Sequence, residues 1–211
     1  MDQSHMRMTE ANVQTLSRSH RDGQARAKCN HAVQFYNDDA RLVDTVVDYI
    51  GDALQAGDGA VVLATQAHRD GFEEGLRAAG IDMDAARASG RYVAFDAADT
   101  LAQIMADGQP DPQRFDAVCG NVMRQALAIS PRVDGFGELV SLLWSTGQAS
   151  AAITLEKLWN GLLASHPVSL LCAYEVHDLG THVSGDYFAH VCAEHRKVLH
   201  SPSYVGSALV L

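Results

Sequence analysis

The clearest structural signal lies in residues 31–65, which read HAVQFYNDDARLVDTVVDYIGDALQAGDGAVVLAT. Residues 32–36 have the length and composition of a short strand. Asp38 and Asp39 can cap a helix, and apolar residues then recur at helical spacing from Leu42 to Leu54. The continuous apolar run at residues 60–64 is typical of a strand that is buried on both faces of a parallel sheet.

The same alternation of strands and helices continues along the chain. Further strands are predicted at residues 91–95, 133–136 and 168–174. Helices are predicted at residues 68–79, 99–106, 114–129, 138–145, 149–165 and 184–199, with a short helix or turn at 84–89. This pattern predicts an α/β fold, with a mostly parallel sheet and helices on both faces. Ligands of such folds bind outside the carboxyl ends of the strands, so we expect functional residues just after each strand.

Composition excludes several classes of protein. The chain has 211 residues, of which 47% are hydrophobic, so it can build a sizeable core. A formal net charge of -10 argues against direct binding to nucleic acid or to an anionic membrane surface. No apolar run approaches the roughly 18 residues that span a bilayer. We therefore expect a soluble, cytoplasmic protein with a mobile N-terminal arm at residues 1–28, one domain at 29–200 and a C-terminal tail at 201–211.

Five motifs, in this order along the chain, carry a resemblance to a known family. They are HAVQFY at residues 31–36, GDGAVVLAT at 57–65 followed by His68-Arg69, GFGELVSLLW at 135–144, LEKLWN at 155–160 and SLLCAY at 169–174. Together they resemble the MEDS domain, the sensory domain named for methanogens, methylotrophs and the regulator DcmR. The resemblance covers roughly residues 29–200.

The resemblance implies a signal-input domain rather than an enzyme. Such domains occur in prokaryotes alone or beside histidine kinases and transcription regulators, and hydrocarbon derivatives have been proposed as their ligands. It therefore implies a stand-alone sensory domain that binds a small molecule and acts on a partner kinase or regulator. No Ser-His-Asp order, nucleophile elbow or paired-carboxylate signature is present in the sequence.

The arrangement also looks like a KaiC or RecA-type nucleotide-binding domain without its P-loop. That loop would follow the first strand and end in Gly-Lys-Ser/Thr, so that backbone N–H groups and the lysine hold the phosphates. Residues 36–41 read YNDDAR instead, with no glycine or lysine and with two carboxylates. ATP is therefore not expected as a cofactor, and the cofactor is left unidentified.

Polar and aromatic residues near the predicted strand ends are the candidate ligand-binding residues. They are Tyr36, Glu138, Trp144, Glu156, Trp159 and Tyr174, with His31 and His195 behind them. Both glutamates also have interpretations that need no ligand. Glu138 would be favoured at a helix N-terminus by the helix dipole. Glu156 borders an apolar helix face, so it can equally be an edge residue that reaches solvent.

The cysteines and histidines leave a second class of function open, a metal- or haem-binding protein or an enzyme. Cys29 and His31 form one Cys/His pair, and Cys192 and His195 form another. The four match a Cys₂His₂ zinc set in number and type, although the spacing is that of no known finger. Cys172 lies in an apolar strand, where a thiol is either a small hydrophobe or a redox sensor. A third alternative is a scaffold that binds a partner protein without a ligand.

Overall fold

The computed structural model of the protein describes residues 30–175 and 185–200. Its main sheet has six parallel strands. They are β1 (His31–Tyr36), β2 (Gly59–Ala64), β3 (Tyr92–Asp96), β4 (Val133–Gly137), β5 (Val168–Glu175) and β6 (Lys197–His200). Their order across the sheet is β3-β2-β4-β5-β1-β6. The predicted α/β fold with a parallel sheet is confirmed.

Helices cover both faces of this sheet. They are α1 (Asp39–Gln55), α2 (Gln66–Ala78), α3 (Met83–Ala88), α4 (Ala97–Ile104), α5 (Pro112–Phe115), α6 (Asn121–Ile129), α7 (Leu139–Ser145), α8 (Ala149–Ser165) and α9 (Gly185–Glu194). A π-helical turn, Asp116–Gly120, joins α5 to α6. The first three helices pack on one face, and the later helices supply the core on the other.

Local sequence explains the first βαβ unit. The carboxylate of Asp38 accepts a hydrogen bond from the Ala40 N–H, which satisfies one of the free donors at the start of α1. Leu42, Val46 and Ile50 form the buried stripe of this helix. Every residue of β2 is buried, because helices cover the strand on both faces. A fully apolar strand is therefore stable at this place in the sheet.

The structure corrects the prediction of a last helix over residues 184–199. In the structure α9 ends at Glu194, and residues 197–200 form β6. The free edge of β1 decides this, because Lys197 and Val198 pair with Ala32 and Val33 in parallel register. Those backbone hydrogen bonds replace helical ones.

The helix predicted at residues 99–106 is displaced by two residues, to Ala97–Ile104. It ends at Ile104, where the chain enters a small antiparallel hairpin of Met105–Ala106 and Gln109–Pro110. Asp107 and Gly108 adopt positive φ angles at the hairpin turn. Within the described residues, no helix is long and apolar enough to cross a membrane. The arm predicted at residues 1–28 and the tail at 201–211 lie outside the described residues.

Candidate functional site

The chain leaves the sheet in opposite directions at two neighbouring strands, β2 and β4. After β2 the chain enters α2 on one face, whereas after β4 it enters α7 on the other. Neighbouring strands whose connections leave in opposite directions create the crevice in which open α/β sheets bind ligands. Glu138 follows β4 at this point, and its backbone N–H donates to the carbonyl of Leu63.

The Glu138 carboxylate is almost fully buried and makes two hydrogen bonds. One oxygen accepts the backbone N–H of Thr65, and the other lies 2.6 Å from Nδ1 of His68. On the other side of the ring, His68 Nε2 is 3.7 Å from a carboxylate oxygen of Asp39. The hydrogen bond to Glu138 is the main cause that raises the pKa of His68 above its usual 6.5. His68 therefore keeps its proton to a higher pH than an unperturbed imidazole does.

Tyr36 completes this group at the end of β1. Its ring meets the His68 ring edge-on, with 6.2 Å between the centroids, and Ser141 at the start of α7 lies near its hydroxyl. Burial, followed by the negative charge of Glu138, raises the pKa of the Tyr36 hydroxyl. We call Tyr36, His68, Glu138 and Ser141 the carboxyl-edge cluster. It offers hydrogen-bond donors and acceptors beside aromatic rings, which is how small-molecule sites fix an organic ligand.

A cavity of about 250 Å³ opens near the ends of β2 and β3, on the face that carries α4. Its walls combine apolar side chains, among them Leu63, Phe95 and Val122, with the polar side chains of Thr100 and Gln103. The π-helical turn contributes further residues to the lining. Such turns are frequent at functional sites, so this cavity is a second place for a small ligand.

A second polar group is buried between the sheet and α8. The carboxylate of Glu156 on α8 accepts a 2.8 Å hydrogen bond from the Tyr174 hydroxyl of β5. The Cys172 thiol lies 3.5 Å from the other carboxylate oxygen. His31 Nε2 and His195 Nε2 lie 3.3 Å and 3.4 Å from the two oxygens. We call these five residues the buried cluster.

Protonation in the buried cluster is governed by burial and by the central carboxylate. Burial is the largest single influence on Glu156 and opposes its ionisation, but the charges and hydrogen bonds of His195 and His31 together outweigh it and hold the pKa of Glu156 below its usual range. Burial likewise opposes charge on His195, yet Glu156 raises the pKa of that imidazole. Burial, followed by the Glu156 charge, raises the pKa values of Cys172 and Tyr174. Without another cation, the thiol and the phenol are therefore protonated.

The structure divides the residues that the sequence nominated. Tyr36 and Glu138 belong to the carboxyl-edge cluster, whereas His31, Glu156, Tyr174 and His195 belong to the buried cluster. Trp144 packs edge-on against Tyr174, and Trp159 packs edge-on against Phe115 in the core. Both tryptophans are buried.

The two Cys/His pairs proposed from the sequence are not brought together as such. Cys29 lies outside the described residues, and Cys192 is partly exposed on α9. Their histidines do meet, because the rings of His31 and His195 lie 4.1 Å apart between centroids. The residues that join them are Glu156 and Cys172.

Sequence reasoning missed three contributors to these groups. His68 was quoted as part of a motif, but no role was predicted for it, although its position just after a strand is a signal for a functional residue. Cys172 was treated alone, without the partners that surround it. Asn160 shares a helix face with Glu156, and its Oδ1 lies 2.9 Å from His31 Nδ1. The long-range pairing of such residues is not encoded in their spacing.

Comparison with known families gives one match. The family model described as MEDS, "MEthanogen/methylotroph, DcmR Sensory domain", matches residues 30–196. The chain belongs to the MEDS family. The match runs from the start of β1 to the residue after His195, so both clusters lie inside the MEDS domain. A search of curated proteins finds no match.

Proposed function

We propose that this MEDS domain is a sensory input module that binds a small organic molecule at the carboxyl edge of its sheet. The observation that carries the proposal is the buried Glu138–His68 pair at the point where the connections after β2 and β4 diverge, in a chain of a sensory family. A buried charged pair costs desolvation, and perturbed ionisable groups in a cleft are more frequent at functional sites. Tyr36 adds a hydroxyl and an aromatic wall beside them.

The charges at this edge favour a particular class of ligand. Asp38 and Asp39 lie where a P-loop would hold phosphates, and their exposed carboxylates repel anions. Arg41 is 3.7 Å from Asp38, so its charge is already partly matched. A neutral or cationic molecule with a short apolar body and one or two hydrogen-bonding groups fits these surroundings. A polar derivative of a small hydrocarbon has this chemistry.

Signalling would then proceed through a partner protein. A histidine kinase or a transcription regulator is the partner that membership of a sensory family supports. A change in the position of α7, which directly follows Glu138, would alter the surface offered to that partner. No catalytic step by the chain itself is needed.

The ligand proposal is tested by a thermal-melt screen of small polar organic molecules. A compound at 100 times its dissociation constant adds about 2.7 kcal/mol to the free energy of unfolding. For a compound found in this way, His68→Gln and Glu138→Gln should weaken binding about tenfold to a hundredfold, which corresponds to the loss of a charge-assisted hydrogen bond. Glu74→Gln, on the exposed side of α2, should bind as the wild type does.

Two results would contradict the proposed site. One is unchanged affinity in both variants at the carboxyl edge. The other is loss of binding when Val122→Phe fills the cavity beside α4, with both edge variants still binding. The second result would move the ligand to that cavity, whereas a screen without any stabilising compound would favour a scaffold that binds only protein.

A further inference from the structure

Four side chains of different chemistry point their donor atoms at one place in the buried cluster. His31 comes from the start of β1, Glu156 from α8, Cys172 from β5 and His195 from just after α9. One potential ligand atom from each lies within 4.8 Å of every other. All four residues are buried, so the group is closed to solvent.

Hydrogen bonds outside the group orient both histidines. The Asn160 amide nitrogen donates to the carbonyl and carboxylate of Glu194, so its oxygen faces His31 Nδ1 at 2.9 Å. His195 Nδ1 lies 2.7 Å from the carbonyl oxygen of Val191. Both oxygen acceptors require a proton on Nδ1 of the ring that they face. In a neutral ring the lone pair is then on Nε2, the nitrogen that faces inward and could bind a metal. Metal-binding histidines are fixed by this kind of second hydrogen bond.

The inward-facing atoms need a positive charge between them. If both imidazoles are neutral, their Nε2 lone pairs face the carboxylate oxygens of Glu156 at 3.3 Å and 3.4 Å. If both are protonated, two cations lie in ring contact at 4.1 Å. If only one is protonated, the carboxylate is matched, but the Nε2 lone pair of the other ring still faces one of its oxygens. His195 Nε2 has no hydrogen-bond partner among the described residues. Such an arrangement costs free energy in a buried site unless something matches the charges.

The spacing of the donor atoms fits a tetrahedral metal ion. Zinc bonds of about 2.0–2.3 Å to nitrogen, oxygen and sulfur separate the ligand atoms of a tetrahedron by roughly 3.3–3.6 Å. The Cys172 sulfur lies 3.5 Å from both His31 Nε2 and a Glu156 oxygen, and that oxygen is 3.3 Å from His31 Nε2. Three of the four ligand atoms therefore already have nearly the separation that zinc would impose, and His195 Nε2 lies within 4.8 Å of each of them.

We propose that His31, Glu156, Cys172 and His195 bind one zinc ion. The two positive charges of zinc match the carboxylate and the thiolate, so the buried site becomes neutral. Binding releases the thiol proton of Cys172 and any proton on the two Nε2 atoms, and no oxidation or reduction is involved. Four protein ligands leave no open position, so this is a structural rather than a catalytic zinc.

The site would join the end of the domain to its centre. Three ligands belong to β1, β5 and α8, whereas His195 lies in the connection from α9 to β6. Zinc would therefore hold α9 and the edge strand β6 against the sheet. The role goes beyond small-molecule sensing, because the carboxyl-edge cluster shares no residue with the metal site.

Metal analysis of the purified protein tests the proposal directly. We expect one zinc ion per chain, retained against a weak chelator and restored when the metal-free protein is refolded with zinc. Refolding with Co²⁺ should give the absorption of a tetrahedral site together with a thiolate-to-cobalt charge-transfer band. That band should disappear in Cys172→Ser and remain in the matched control Cys192→Ser, whose thiol lies outside the cluster.

A positioning variant adds a test that does not remove a ligand. Tyr174→Phe deletes only the hydroxyl that donates to Glu156, so it should weaken zinc binding about tenfold to a hundredfold with the fold intact. Zinc absent from the wild type, both as purified and after refolding with the metal, would overturn the proposal. So would binding that is unchanged in Cys172→Ser, because the metal would then be held by surface histidines. In either case the negative charge of Glu156 would be balanced by protons on the two histidines and not by a metal ion.

Discussion

The Glu138–His68 pair allows a prediction whose size and pH dependence both follow from the structure. Glu138→Gln keeps the shape of the side chain, and the amide oxygen can still accept the Thr65 N–H. It removes the charge opposite His68 Nδ1, which lies 2.6 Å from the carboxylate in a site that is largely closed to solvent. A hydrogen bond to a charged group contributes about 1.5–3 kcal/mol, so we expect a loss of that size at mildly acidic pH.

The sign of the pH dependence follows from the raised pKa of His68. A group whose pKa is higher in the folded state stabilises the fold below its usual pKa of 6.5, and this contribution is lost as pH rises through the folded value. Glu138 is the first cause of the raised pKa, and Asp39 is the other charged group that faces the ring. The difference in stability between wild type and Glu138→Gln should therefore shrink on going from about pH 5.5 to about pH 9.

Urea unfolding followed by circular dichroism at both pH values measures this difference. In thermal melts the same loss corresponds to a shift of roughly 3–12 °C at the lower pH. The control Glu74→Gln changes an exposed carboxylate on the same helix as His68, and it should stay within about 0.5 kcal/mol at both pH values. A cost of Glu138→Gln that does not depend on pH, or one no larger than that of the control, would refute this account of the pair.

Three further predictions concern the rest of the domain. A Cβ at Gly75 would lie 2.5 Å from Cγ2 of Val47, so Gly75→Ala should destabilise the fold by about 1–3 kcal/mol. A Cβ at Gly161 would have nothing within 4 Å, so Gly161→Ala should stabilise the fold by about 0.5–1 kcal/mol, and chemical denaturation measures both changes. The partly exposed Cys192 should react with a thiol reagent in the folded protein, while Cys119, whose pKa burial raises to about 12, should react only after unfolding, as mass spectrometry would show. Isothermal titration should detect no micromolar binding of ATP, and binding abolished by changes in the loop after β1 would show that the acidic loop holds phosphate after all.

The sheet could be predicted from the sequence because its central strands are continuous apolar runs. Residues 60–64 and 168–174 had to be buried on both faces, and the structure buries them. The edge strand β6 could not be predicted in this way. The apolar stripe of α9 includes Phe188 and Val191, and His195 and Leu199 continue it at helical spacing beyond the true end of the helix. Pairing with the free edge of β1 decides the outcome there, and that pairing is a tertiary interaction.

The candidate sites were predictable in chemistry and unpredictable in grouping. Position after a strand was enough to nominate Glu138 and Tyr36, since the carboxyl ends of parallel strands lie along one edge. The buried cluster is different, because His31 and Cys172 are separated by 141 positions in the chain. Glu156 was nominated on the border of an apolar helix face, and the structure places it fully inside the core. The parallel pairing of β1 with β5 brings His31 near Cys172, and the packing of α8 on the sheet adds Glu156.

The two clusters are also connected through the core, which gives a last prediction. Glu138 stands at the start of α7, and Trp144 near the end of that helix packs edge-on against Tyr174, whose hydroxyl donates to Glu156. A shift of α7 at the carboxyl edge would therefore press on the buried cluster. Distant, independent substitutions add to within about 0.3–0.5 kcal/mol, so a double-mutant cycle of Glu138→Gln and Tyr174→Phe should depart from additivity by more than that. Simple additivity would mean that α7 does not transmit the change, and a signal from the carboxyl edge would then have to leave through α1 or α2, the helices that carry Asp39 and His68.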